Sequence, residues 1–226
     1  MKDGENATLR PLSPIQRMIL ALYRRIELAQ YGFTLPFMES MFRVRGYRGL
    51  FAMGDNLTRT IKALEKRYGQ LIANLILAWA GLWNGCRYCS IGHVYAVNLL
   101  HFRETGRLYP IAESEVPELQ ELTYPELMER LRHALVGEEF AEQLQVIERM
   151  FELFSGAQVI SDDDHLLSKA LTCWAWLNEC TIPVTYDLET SDVPALLLKK
   201  DREPVLNRYT AARKAAALNK EKVETA

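Results

Sequence analysis

Apolar residues recur at three- and four-residue intervals along most of the chain, a spacing that predicts helices rather than strands. Ser13 ahead of Pro14 reads as an N-cap followed by proline at the first helical position. Ile15, Met18, Ile19, Leu22, Tyr23 and Ile26 then keep one face apolar to about Gln30. A shorter helix follows over Pro36 to Val44. The glycines of the stretch Arg45 to Asp55 (Gly46, Gly49, Gly54) predict a connecting loop before a third helix from Leu57 to Tyr68. Gln70 to Trp83 is apolar nearly all round, as a helix enclosed by its neighbours is. Asn84 and Gly85, which both tolerate the left-handed conformation, stop it. Helical spacing resumes from Cys86 to Thr105 through Val94, Val97 and Leu100, and Gly106 supplies the next stop.

The acidic, proline-punctuated stretch Pro110 to Tyr124 is the best candidate for a connection between two halves, 1–109 and 110–226, packed as one domain. Beyond it Pro125 to Leu135 predicts a short helix. Phe140, Leu144, Ile147, Phe151 and Phe154 predict a longer amphipathic one. Ser161 with Asp162, Asp163 and Asp164 caps a helix through Asn178, where negative charge suits the N-terminal dipole; a metal is the alternative use of that aspartate run. Asn207 to Val223, rich in alanine and lysine, predicts a surface or partner-bound helix that frays at its end. Val184 to Tyr186 is a short strand candidate, and the fold class expected is an all-α bundle. Asn84-Gly85-Cys86 and Asn178-Glu179-Cys180 each follow a tryptophan-bearing apolar stretch and each read as a helix end. Together they suggest a duplicated helical unit with a degenerate second copy. Pro183 and Asp187 stand in that copy where Cys89 and His93 would be.

Composition narrows the function classes. The 226 residues are 49% hydrophobic, enough for a core without disulfide staples. Lys+Arg 27 against Asp+Glu 29 leaves a net charge of -2, so neither nucleic acid nor an anionic membrane is an expected partner. The apolar stretch Leu71 to Trp83 is shorter than the roughly 20 residues needed to span a bilayer. Met1 to Arg10 is polar and lacks the apolar core of a signal peptide, so a cytoplasmic, reducing location is expected, where cysteines serve as thiols or redox groups.

Cys86, Cys89 and His93 fall at i, i+3 and i+7, one face of a helix, with the cysteines in its first turn. Helix N-termini and cationic neighbours lower a thiol pKa from about 8.5 to roughly 3.5–7.5, so the first turn beside His93 and Arg87 predicts activated thiols. Two thiols at this spacing can also resolve a sulfenic acid as a disulfide. Structural zinc has three ligands here but no evident fourth, and Cys173 and Cys180 form no matching pair. Covalent haem attachment needs histidine where Ser90 stands. A purely structural role for two small buried residues is the remaining alternative. His101, on a face similar to that of His93, could support the site or be a partly buried helix residue; His133 and His165 have surface and capping contexts. Cys173 and Cys180 are most simply packed core thiols. Trp79, Trp83 and Tyr88 either wall a pocket beside the dithiol or belong to the core.

The segment Asn84-Gly85-Cys86-Arg87-Tyr88-Cys89-Ser90-Ile91-Gly92-His93, behind an apolar helix, resembles the Cys-x-x-Cys-x-x-x-His core of the AhpD-like alkylhydroperoxidases of the carboxymuconolactone decarboxylase superfamily. The resemblance is clearest from about Leu57 to Gly106. It implies an all-helical homo-oligomer, cofactor-free at the site, that reduces hydroperoxides with electrons from a thiol or disulfide-reductase donor. Carried onto this chain, Cys89 is peroxidatic, Cys86 resolves it, and His93 belongs to the proton relay. The family's glutamate position is occupied here by Asn74, so a water, another carboxylate such as Glu65, or a neighbouring subunit would have to complete the relay. The superfamily's lactone decarboxylases lack the dithiol. A non-catalytic or redox-sensing helical interaction protein is the alternative class.

Overall fold

The computed structural model describes residues 11–224, which form eight α-helices and no strand. The polar stretch Met1 to Arg10 lies outside them. Helix α1 (Pro14–Tyr31) begins with the predicted cap: Ser13 Oγ accepts from the Gln16 amide at 3.3 Å, and Gln16 Oε1 accepts from the Ser13 amide at 2.8 Å. Helix α2 (Met38–Trp83) breaks only at Gly46 and Gly69, whose φ of 65° and 79° only glycine adopts readily. The expected loop from Arg45 to Asp55 is therefore a correction: apart from the break at Gly46 it is helical. Leu50 and Met53 are buried in the core, and that burial outweighs the roughly 1 kcal/mol penalty each of Gly49 and Gly54 carries in a helix.

Past Gly69 the last segment of α2 is enclosed from Ile72 to Trp83, as its all-round apolar pattern predicts. Asn84 and Gly85 end it, and the Cys86 amide donates to the Gly81 carbonyl at 2.8 Å, turning the chain directly into α3 (Arg87–Thr105). The two helices meet closely because Gly81 has no side chain: a Cβ there would stand 3.0 Å from the Cys89 Cβ and 3.1 Å from Ser90 Oγ.

The stretch Pro110 to Tyr124 connects the two halves without leaving the core. Tyr109, Ile111, Val116 and Leu119 are buried, the last two on the short α4 (Val116–Glu121). Helices α5 (Tyr124–Ala134) and α6 (Ala141–Phe154) follow as expected, the first with a Thr123/Glu126 capping box. Helix α7 (Asp162–Thr185) starts at the predicted Ser161 cap but does not stop at Asn178. Asn178-Glu179-Cys180 lies inside the helix, which ends at Thr185, so the reading of that triplet as a helix end is corrected. Buried Asn178, Cys180, Thr181 and Thr185 hold this last part against the core. The strand candidate at Val184 falls in the same final turns.

Helix α8 (Lys199–Glu224) begins earlier than Asn207 because Val205 and Tyr209 pack in a small second cluster against α3. Ahead of it the segment 193–197 straps across α3, with the Leu196 amide donating to the Gly92 carbonyl at 2.9 Å. No helix among the described residues is long and apolar enough to cross a membrane. On α1, Ile15 (66% exposed), Met18 (68%), Leu22 (58%) and Ile26 (43%) form an apolar stripe that the other described residues leave uncovered.

The strap makes Gly92 a sensitive position, because a Cβ would meet Leu196 Cγ at 2.6 Å and the Pro194 carbonyl oxygen at 3.1 Å. Gly92→Ala is expected to destabilise the fold by about 1–3 kcal/mol through overpacking. A lower urea midpoint with an unchanged slope is the result that checks it.

Candidate functional site

Cys86 is the N-cap of α3. Its backbone is extended (φ -87°, ψ 91°), and its sulfur accepts from the Cys89 amide at 3.3 Å, the place a serine or aspartate side chain usually fills. Cys89 is in the first helical turn, and His93 follows one turn on. All three expected site residues are brought to one face, but none is exposed: Cys89 is 2% exposed and His93 7%. Both cysteines are free thiols.

Asn74, from the enclosed segment of α2, holds the histidine. Its Nδ2 donates to the Gln70 carbonyl at 2.9 Å, which turns its Oδ1 toward His93 Nδ1, 2.9 Å away. An amide oxygen only accepts, so the imidazole carries its proton on Nδ1 and keeps the Nε2 lone pair free. Trp174 of α7 lies against the ring with centroids 5.6 Å apart. Burial pushes the His93 pKa down to about 3, so the ring is neutral near pH 7. Glu65 is not the missing carboxylate: it lies before the Gly69 break, where its charge acts on Tyr31.

The expected activation of Cys89 is overturned. Burial, above all, pushes Cys89 well above the ordinary thiol range; its hydrogen bond and charge coupling with Cys86 add to that, while Thr181 and the helix backbone oppose it less strongly. The cations assumed from the sequence are absent from the thiols. Arg87 points outward to Gln120 (3.2 Å) and Glu121 (3.9 Å), and His93 is uncharged. Cys89 rests as a neutral thiol beside a neutral imidazole.

Helix α7 closes the site with residues that sequence reasoning did not assign to it. Asn178 Oδ1 accepts from the Cys89 thiol at 3.4 Å, and Thr181 lies one turn further along against the same sulfur. Asn178 was noticed only as the head of a supposed helix end. The available signal was Trp174, Asn178 and Thr181 at i, i+4 and i+7, a polar pair continuing one face of an apolar helix. Asn178 Nδ2, Trp174 Nε1 and the Tyr88 hydroxyl are all buried without a hydrogen-bond partner.

The other candidates are elsewhere. His101 sits between the rings of Tyr109 (5.3 Å) and Phe140 (5.8 Å), and His133 lies at the surface beside Glu129. His165 is exposed in the first turn of α7. Cys173 accepts from Asn56 Nδ2 at 3.4 Å and Cys180 lies beside Arg45, both buried between α7 and α2. Trp83 stacks on Phe154 at 5.8 Å as part of the core. Asp163 and Asp164 are held by Arg67 and Arg149, and the described residues contain no group of three or more acidic, histidine or cysteine side chains arranged to hold a metal. Comparison of the chain with protein-family models, curated proteins and solved structures finds no match.

The depressed His93 pKa has a defined linkage sign. Below about 6.5 the unfolded chain binds a proton at this histidine that the folded chain refuses until about pH 3, so stability falls as pH drops through that window. His93→Gln is expected to flatten this limb of the stability profile in urea titrations from pH 7 to 4. Asn74→Asp is expected to raise the imidazole pKa, read by histidine ring NMR, because a carboxylate favours the cation that an amide cannot. A wild-type ring that titrates near 6.5 would contradict both.

Proposed function

We propose that the chain is a thiol-dependent hydroperoxide reductase working through Cys86, Cys89 and His93. The observation that carries this reading is the shared first turn of α3: two free thiols in hydrogen-bonding contact, one helical turn from an imidazole whose Nε2 is kept free by Asn74. The resemblance of this segment to the AhpD-like core supports the same chemistry. The Cys89 proton passes to His93 Nε2, and the thiolate attacks the terminal oxygen of the hydroperoxide. An S–O bond forms, the O–O bond breaks, and the leaving alkoxide takes the proton back from His93 to depart as an alcohol. Cys86 then attacks the Cys89 sulfenic acid, forming the disulfide and releasing water. An external dithiol supplies the two electrons that restore both thiols.

A redox-sensing role is the second reading, and the burial of both thiols favours it. A buried dithiol whose Cys89 is held as a thiol oxidises slowly, which suits an occasional switch better than rapid turnover. Self-association belongs to either reading. The stripe of Ile15, Met18, Leu22 and Ile26 on α1 is the kind of exposed apolar surface that a second copy covers.

Mild peroxide is expected to join Cys86 to Cys89 and leave Cys173 and Cys180 reduced. Cys89→Ser should abolish peroxide consumption, whereas Cys86→Ser should leave a sulfenic acid on Cys89 that a dimedone probe captures. Peptide mapping that finds Cys173 joined to Cys180, or no bridge, would sink the dithiol reading; a Cys86–Cys89 bridge without catalytic turnover would assign the sensor. Sedimentation is expected to show an oligomer at micromolar concentration, converted to monomer by Met18→Glu with Leu22→Glu.

A further inference from the structure

We propose that Asn178 is the hydrogen-bond donor that stabilises the Cys89 thiolate, supplied to the dithiol from α7 by turning its amide end for end. The inference rests on the dithiol reading but not on peroxide as its oxidant. Asn178 Oδ1 accepts from the Cys89 thiol at 3.4 Å, the only hydrogen bond its side chain makes among the described residues, while its Nδ2 is buried without a partner among them. Leaving two amide protons unpaired in the interior is costly. A core position packed only for shape would hold leucine.

The arrangement makes sense if the sulfur changes state. A thiol donates and needs an acceptor, which Oδ1 provides; a thiolate only accepts and needs a donor, which Nδ2 provides. The two ends of a carboxamide have nearly the same shape, so the exchange is a half-turn about the last side-chain bond and needs no new volume. In the step itself the S–H bond breaks heterolytically and the electron pair stays on sulfur. The proton goes to His93 Nε2 in turnover or to hydroxide in an alkaline titration, and nothing is oxidised.

Around Cys89, α3 contributes Cys86, the His93 ring and the Tyr88 phenol, whose hydroxyl is also buried without a partner but makes no hydrogen bond to the Cys89 sulfur. Helix α2 presents Gly81, which has no side chain, and Glu27 of α1 lies beyond Tyr88, where its charge opposes the phenol's ionisation. Thr181 is beside the sulfur and already opposes the rise in its pKa, but its hydroxyl also donates to the Leu177 carbonyl at 2.9 Å, so its one proton is not free. Among these groups, Asn178 alone touches the Cys89 sulfur with one end of a group whose other end is an unpartnered donor.

The test is the pH midpoint of Cys89 alkylation by iodoacetamide, resolved by peptide mass spectrometry in a Cys86→Ser background, with and without Asn178→Leu. Loss of the donor is expected to raise the midpoint and slow alkylation at a fixed pH at least roughly tenfold, the value of a hydrogen bond to a charged group. A purely structural role predicts the opposite sign: loosened packing would wet the thiol and lower its midpoint toward the ordinary value. An unchanged or lowered midpoint therefore overturns the proposal. The unmodified Asn178 side chain supplies a second readout if the variant folds poorly. Its Nδ2 proton resonances are expected to move with the Cys89 midpoint in an alkaline NMR titration, and resonances that stay fixed through it overturn the assignment. Because neither readout uses peroxide, absent peroxide turnover with a raised midpoint would remove the peroxidase reading and leave this one standing.

Discussion

Everything at the site follows from how closely α2 and α3 approach at Gly81. A side chain there would crowd Cys89 and Ser90 at 3.0–3.2 Å, so its absence lets the enclosed helix press directly on the first turn of α3. The same contact fixes the turn, because the Cys86 amide is bonded back to the Gly81 carbonyl. A cap that elsewhere meets solvent is thereby sealed inside the protein, with a cysteine as the capping side chain. Burial of the dithiol is built into the helix crossing rather than added by a loop laid over it.

That burial decides a contest between two physical effects. A helix N-terminus stabilises negative charge by about 0.3–1 kcal/mol at the surface, rising to about 2 kcal/mol in favourable partly buried sites. Transfer of an uncompensated thiolate into a dry interior costs more, so desolvation prevails and Cys89 is held as a thiol. The same term acts on His93 with the opposite sign of charge and keeps it neutral. A neutral pair is the cheapest state of the closed site, and ionisation has to be helped from within, by polar groups whose hydrogen bonds change when the proton moves.

The features legible from the sequence were local ones. Ser13-Pro14 with Gln16, Asn84-Gly85 and Ser161 each announce a helix end through their own chemistry, and the cysteines at i and i+3 with the histidine at i+7 share a face by helix geometry alone. What could not be read depended on partners distant in the chain. Gly46, Gly49 and Gly54 look like a loop until Leu50 and Met53 are seen to pack in the core, and Asn178 looks like a helix end until α7 is seen to lie on α3. Arg87 misled in the same way: its neighbours in sequence are the thiols, but its neighbours in space are Gln120 and Glu121. Proximity in sequence located the site, while its electrostatics came from tertiary contacts.

Asn74 makes physical sense in that closed environment. A buried carboxylate beside an imidazole shares one negative charge between groups that water no longer screens, and such a pair is stable only when its proton count and hydrogen bonds are complete. The amide avoids that charge: it donates to Gln70, accepts from His93 and leaves the site neutral when both thiols are reduced. The consequence is a weaker base, since an amide orients the ring without raising its proton affinity. On the other side of the sulfur, α7 places Asn178 and Trp174 one helical turn apart, facing Cys89 and His93, which are likewise one turn apart on α3. Helices α3 and α7 thus each present an i, i+4 pair to the closed site, while Asn74 of α2 fixes the proton on His93 Nδ1.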